Sequence, residues 1–161
     1  MFADPVKNLK MLELREDMIL ADLGAGSGFF AMEAARMLPQ GKVYAVEVQR
    51  DFVKSLQNKA KDNHIQNLEV FWGDIEKKGG TKLKDGLCDR VIISNALFQA
   101  ENKDDFLAEA KRITKPGGKM LFIDFHLPKK EALALLHKHG FALEREVSEG
   151  ERHYGMILKR V

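Results

Sequence analysis

Residues 21–30 read ADLGAGSGFF: Gly24, Gly26 and Gly28 alternate with small residues behind Asp22, and two phenylalanines follow. Glycines this dense let a backbone approach something closely. Two phosphate-binding patterns are excluded by spacing. The dinucleotide fingerprint needs a third glycine three positions after the second, where Phe29 stands, and a P-loop needs a Gly-Lys-Ser/Thr that does not follow. Taken alone, the glycines also fit a plain structural turn.

Three acidic residues point further. Asp22 closes a first short apolar run, Glu47 a second, and Asp74 follows a third. If those runs are neighbouring parallel strands, the three carboxylates share one sheet edge, where such sheets bind ligands. Carboxylates repel a pyrophosphate but suit a ligand with hydroxyls, amines and positive charge. A carboxylate after the second strand can accept both hydrogens of a ribose diol. A ribose, an exocyclic amine and a cation together describe S-adenosylmethionine.

The elements that must position these residues are legible in turn. Asp4 caps and Pro5 opens a first helix with an apolar stripe of Val6, Leu9 and Leu12. A strand over 18–22 leads into the glycine loop, and a helix over 29–38 stops at Pro39 and Gly41. A strand over 43–46, a helical face of Phe52, Val53, Leu56 and Ala60, and a strand over 68–71 follow. The pattern continues with a strand over 90–94, a helix over 103–113, a turn at 115–118, a strand over 120–125 and a helix over 129–139. Two last strands, about 141–147 and 153–160, flank a short turn at 148–152 and must be antiparallel. Strands alternating with helices predict one doubly wound α/β domain over residues 1–161.

Bulk properties narrow the classes. The chain has 161 residues, 45% hydrophobic content and a formal charge of +2, which neither requires nor excludes a nucleic-acid partner. Cys88 is the lone cysteine, so neither an intramolecular disulfide nor a thiolate metal cluster is expected. The first ten residues lack the apolar core of a signal peptide, and no apolar run approaches the roughly 18 residues of a membrane span. A soluble, cytoplasmic protein is the expectation, with no membrane partner and its oligomeric state open.

The stretches ADLGAGSGFF, VYAVEVQ, VFWGDIEK, CDRVIISNALFQ and EAKRITKPGGKMLFIDF resemble the class I S-adenosylmethionine-dependent methyltransferases, more narrowly their small-molecule, ubiquinone-biosynthesis-type branch. The resemblance covers about residues 5–161. It implies a three-layer Rossmann-like fold with a seven-stranded, mostly parallel sheet and an antiparallel last strand. It also implies S-adenosylmethionine as cofactor and a small-molecule acceptor. Residue by residue, it assigns Asp22 and the backbone of Gly24, Ala25, Gly26 and Gly28 to the methionine and sulfonium end. Glu47 is assigned to the ribose hydroxyls, Val48 to the adenine face, Asp74 to the adenine amine, the Ile75 backbone to the ring, and the Asn95 carbonyl to the methionine ammonium.

Departures from related patterns limit the chemistry. Ser94-Asn95-Ala96-Leu97 is not the Asn/Asp-Pro-Pro-Tyr that clasps a planar amide or amine. No Pro-Cys nucleophile is present, and no carboxylate cluster for Mg²⁺ is expected near Asn95. His126 follows the fifth strand, and His153 with Tyr154 opens the seventh at the same edge. The two imidazoles are therefore expected near each other as proton acceptors at the substrate mouth, with Phe98 as an apolar wall. Lys77, Lys78, Lys82 and Lys84 read as a solvated basic loop, because RNA binding wants aromatics interleaved with the lysines and this stretch has none. His137 and His139 suit a helix C-terminus, and no metal is expected there. The alternatives to small-molecule methylation are an RNA or protein acceptor, or a non-catalytic cofactor-binding or scaffolding domain.

Overall fold

Alternating burial along the strands divides the core in two. Leu20 and Ile92 pack toward one face of a central sheet, while Ala21, Leu23, Val91 and Ile93 pack toward the other. The computed structural model describes residues 4–149 and 153–161. Its elements run α1 (Pro5–Lys10), β1 (Ile19–Leu23), α2 (Phe29–Met37), β2 (Lys42–Glu47), α3 (Arg50–Asp62) and β3 (Leu68–Trp72). They continue with β4 (Cys88–Ser94), α4 (Lys103–Ile113), β5 (Thr114–Asp124), α5 (Lys129–Lys138), β6 (Phe141–Glu149) and β7 (His153–Arg160).

Seven strands form one sheet in the order β3-β2-β1-β4-β5-β7-β6. The pairs from β3 through β5 are parallel, and β7 is antiparallel to both β5 and β6. The last strand thus inserts beside β5, with Asp124 opposite Tyr154. Helices α1, α2 and α3 contribute to the core on one face, α4 and α5 on the other. The order reverses between β1 and β4, which places the ligand-binding crevice of such a sheet at their carboxyl ends.

Local chemistry explains the element ends. Asp4 accepts hydrogen bonds from Val6 N and Lys7 N, with Pro5 in the first turn of α1. Arg90, 7% exposed, donates to the carbonyls of Leu12 and Glu13, fastening the segment after α1 to β4. The turn expected at 115–118 lies inside the bounds of β5. Pairing jumps from Cys88↔Thr114 to Arg90↔Lys119, and Gly117 takes φ +78°. The chain resumes pairing as soon as α4 ends, so the turn becomes an irregularity within a strand. Residues 150–152 of the expected 148–152 turn, and the first three residues, lie outside the described residues. Among the described residues, no helix is long and apolar enough to cross a membrane.

Candidate functional site

The glycine loop is folded back on the end of β2. Gly24 N and Ala25 N both donate to Val46 O, at 2.8 and 3.2 Å, and Gly26 N donates to Glu47 Oε1 at 3.1 Å. Two of the glycines are required by neighbours as well as by backbone. Gly24 (φ +80°) has Ala96 Cβ 2.6 Å from where its own Cβ would stand, and at Gly28 (φ +82°) a Cβ would collide with Leu56 Cδ1. Gly26 differs: a Cβ there would meet nothing within 4 Å. Its open side faces a cavity of about 680 Å³, within the range of small-molecule sites.

Four strand ends build that cavity. Its walls come from Gly24–Ser27 after β1, Glu47–Gln49 at the end of β2, Asp74–Glu76 after β3 and Ser94–Ala96 after β4. Glu47 is 6% exposed, and its second oxygen accepts from Gln49 N at 2.7 Å. Asp74 Oδ1 accepts from Glu76 N at 3.1 Å. Val48, at 53% exposed, stands with Phe29 and Phe52 as an apolar rim. Trp72 Nε1 donates to Val48 O at 2.8 Å and so holds that rim from behind. Asn95 takes φ +52°, a conformation asparagine tolerates, while its N–H donates to Ile123 O at 2.8 Å. Its carbonyl accepts from Gln99 Nε2 at 3.2 Å, and its Oδ1 is buried without a partner.

The structure therefore brings Gly24, Ala25, Gly26, Glu47, Val48, Asp74, Ile75 and Asn95 to one cavity wall. Asp22 and Gly28 lie outside it. Asp22 packs beneath the loop at 2% exposure, toward the start of α2. Alternation along β1 explains this: Leu23 faces the α4–α5 side, so Asp22 faces α2. Burial pushes its carboxyl up to about 7, helped by the negative charge of Glu47 and opposed by a hydrogen bond from the Ala31 backbone. Because the folded value is raised above 3.8, its contribution to stability is complete at low pH and is lost as pH rises through about 7. Asp22→Asn should therefore gain stability relative to the parent as pH rises from about 4 to about 8. Thermal melts across that range are the check, and parallel curves for the two proteins would refute the assignment.

The expected imidazole pair is interrupted. His126 stacks on Phe98 with ring centroids 4.3 Å apart, but Phe125 stands between the histidines, 4.8 Å from His126 and 4.6 Å from His153. The result is a row of four rings at the ends of β4, β5 and β7, beside the cavity and not in its wall. Asp124 Oδ1 holds the row by accepting from His126 N and Leu127 N, each at 2.8 Å. Tyr154 donates to Leu127 O at 2.6 Å and is structural; burial first, then Asp124 and Glu131, pushes its phenol up. Cys88 is fully buried, with its thiol pushed up to about 12 mainly by burial, which makes it inert. His139 bonds Asp104 at 2.8 Å. Among the described residues, no group of three His, Cys, Asp or Glu side chains is placed to hold a metal ion.

Sequence reasoning missed Gln99, Phe52 and Glu76 as cavity residues. Phe52 carried a signal, since it lies five residues after Glu47 in the first turn of α3, but periodicity places it on the buried face of that helix, whereas it is 39% exposed. Gln99 carried none, because its reach to Asn95 depends on the 3-10 turn Leu97–Gln99.

Solved structures share this geometry. A SAM-dependent methyltransferase from Aquifex aeolicus superposes with a TM-score of 0.87 at 28% identity, covering 98% of this chain and 90% of that one. The [4+2]-cyclase SpnF reaches the same TM-score, 0.87, at 13% identity over 97% of this chain and 79% of its own, a likeness of fold alone. The architecture is thus the Rossmann-like fold of the S-adenosylmethionine-dependent methyltransferases. Residues 14–158 match the family described as "Methyltransferase domain", and the chain belongs to that family. Family and fold imply S-adenosylmethionine as the cofactor.

Among curated relatives, the ubiquinone/menaquinone biosynthesis C-methyltransferase UbiE of Bordetella avium is 30% identical over 153 residues, 92% of this chain and 58% of the relative. A malonyl-[acyl-carrier protein] O-methyltransferase of Halalkalibacterium halodurans is 29% identical over 111 residues, 68% of this chain and 40% of the relative. The chain spans about half the length of the curated relatives it matches.

Proposed function

We propose that the chain, working as one domain in the cytoplasm, transfers a methyl group from S-adenosylmethionine to a small-molecule acceptor. The observation that carries this reading is the cavity itself: a Gly26 backbone open to it, Glu47 and Asp74 at two strand ends, and Asn95 at a third. These groups fit a ligand with a ribose, an amine and a cation, and they do not fit a pyrophosphate.

Bound S-adenosylmethionine supplies an activated methyl on a sulfonium that is a good leaving group. The residues then have two tasks, orientation and exclusion of water. Glu47 accepts from the ribose hydroxyls while its existing bonds to Gly26 N and Gln49 N keep the carboxylate in place. Val48 and Phe52 give the adenine an apolar face, Asp74 accepts from its amine, and the Ile75 backbone reads the ring. The Asn95 carbonyl, which here accepts from Gln99 Nε2, would receive the methionine ammonium.

The acceptor enters along the row Phe98, His126, Phe125 and His153, where the rings favour a planar or apolar molecule and the imidazoles take a proton if the acceptor atom carries one. The relatives' names include both carbon and oxygen methylation, so the fold accommodates acceptors that differ in this need.

Transfer of labelled methyl from S-adenosylmethionine to a metabolite extract tests the activity. On an acceptor so identified, His126→Ala or His153→Ala should lower turnover by about 100-fold where a proton must leave, with S-adenosylhomocysteine affinity within about twofold of the parent. Two fully active variants would end the role of the histidines, and failure of the parent to bind S-adenosylhomocysteine would end the cofactor assignment.

A further inference from the structure

The crossovers β1–β2, β2–β3 and β4–β5 each carry a helix, but the β3–β4 crossover, residues 73–87, carries none. The helical layer that α4 and α5 form over the middle and far side of the sheet therefore gives way to a loop over β2 and β3. A second cleft of about 490 Å³ opens there, with Tyr44, Phe71 and Leu87 as its apolar floor and Lys82, Lys84 and Glu69 around it. Tyr44 and Phe71 meet edge to face, with centroids 6.3 Å apart. Both are half-buried, so their rings are only partly withdrawn from water.

The charges around the cleft are unbalanced. Glu69 is paired with Lys42 at 3.3 Å, and Asp85 with Arg112 at 2.6 Å. Lys82 and Lys84 have no carboxylate within ion-pair distance among the described residues. Lys82 instead donates to Trp72 O at 3.1 Å and lies 5.4 Å from the centre of the Trp72 ring, beside the cleft it lines. An apolar floor beside cations that have no carboxylate partner, in the place of a missing layer helix, has a definite complement.

We propose that this cleft docks an acidic amphipathic helix of a partner protein, which completes the helical layer that the β3–β4 crossover leaves open. The apolar stripe of such a helix covers Tyr44, Phe71 and Leu87, and its carboxylates meet Lys82 and Lys84. A second copy of this chain fits less well, because a two-fold contact sets the same lysines against one another. Single-stranded nucleic acid is the competing polyanion for the same lysines and rings, and competition by an oligonucleotide separates the two.

The probe is a labelled synthetic helix of about 18 residues, with leucines at i, i+3, i+4 and i+7 spacing and glutamates elsewhere. Fluorescence anisotropy with the full chain should show saturable binding with Kd below about 100 μM at about 50 mM salt, weakening at about 300 mM. Lys82→Glu/Lys84→Glu should weaken it at least about tenfold with the fold intact by circular dichroism, the melting temperature falling only by the loss of the exposed Lys82 bond to Trp72 O. The same double variant should bind the lysine-for-glutamate version of the peptide better than the parent does. Failure of the parent to bind, equal binding by the double variant, or displacement of the peptide by an equal concentration of oligouridylate would each overturn the proposal. Neither arm depends on the methyltransferase reading, because no cofactor is present.

Discussion

Glu47→Ala should weaken binding of S-adenosylhomocysteine by about 30- to 1,000-fold, roughly 2–4 kcal/mol. Two charge-assisted hydrogen bonds to a ribose diol account for the lower half of that range. The structure supplies a reason to expect the upper half. Each Glu47 oxygen already accepts one backbone N–H, from Gly26 and from Gln49, so alanine removes the ligand contact and leaves two loop amides without their acceptor. The cavity wall loosens as its floor group is lost. Glu47→Gln keeps an acceptor but not the charge, and it should fall between parent and Ala. Calorimetry with the folded variants is the measurement, and a loss for Ala below about threefold would sink the assignment. An internal check is available in Asp22. The Glu47 charge helps to raise its carboxyl, so removing that charge should move the Asp22 titration to lower pH. NAD should not bind the parent, because the loop lacks the glycine spacing that receives a pyrophosphate.

The parts of this molecule that follow from chain periodicity were legible in its sequence. The alternation of strands and helices, the mostly parallel sheet and the antiparallel pairing of β6 with β7 follow from apolar runs, short connections and the handedness of crossovers, while the place of β7 beside β5 drew also on the family resemblance. The convergence at the cavity was legible for a related reason: a parallel sheet puts every strand's carboxyl end on one edge, so Glu47 and Asp74 had to approach each other, and the family resemblance added Asn95. What the sequence hid depends on side-chain direction and on contacts between distant segments. Asp22 belongs to the same edge, yet the pleat turns it under the loop. His126 and His153 reach the same edge too, and Phe125 keeps them apart. The lysines at 82 and 84 have no aromatic neighbours along the chain, but β2 and β3 bring them Tyr44 and Phe71 in space. Nothing in a linear pattern reports such a meeting.

Glu109→Ala should destabilise the fold by about 3–5 kcal/mol, the usual consequence of removing one partner from a buried ionic cluster. Glu109 sits on α4, 2% exposed, and is fully engaged. One oxygen accepts from Gly79 N at 2.9 Å and Arg112 Nε at 2.7 Å. The other accepts from Thr81 N at 3.0 Å, and from Thr81 Oγ1 and Arg112 Nη2, each at 2.7 Å. Burial alone would raise its carboxyl; Arg112 foremost, then Thr81 and the Gly79 amide, outweigh burial and hold it at about 2. A lowered folded value means that Glu109 stabilises fully above its unfolded value of 4.5, and that this contribution is lost as pH falls toward about 2. The parent should therefore lose stability through that acid window, and the variant should show a flatter acid limb. Urea unfolding at about pH 7 and about pH 3 measures both effects, and a loss below about 1 kcal/mol at neutral pH would show that the loop holds without its anchor. The consequence reaches both clefts. The loop that Glu109 ties to α4 carries Asp74, Ile75 and Glu76 into the first cavity at one end and Lys82 and Lys84 to the second cleft at the other. In the absence of a crossover helix, this carboxylate does the work of fixing residues 73–87 against the sheet.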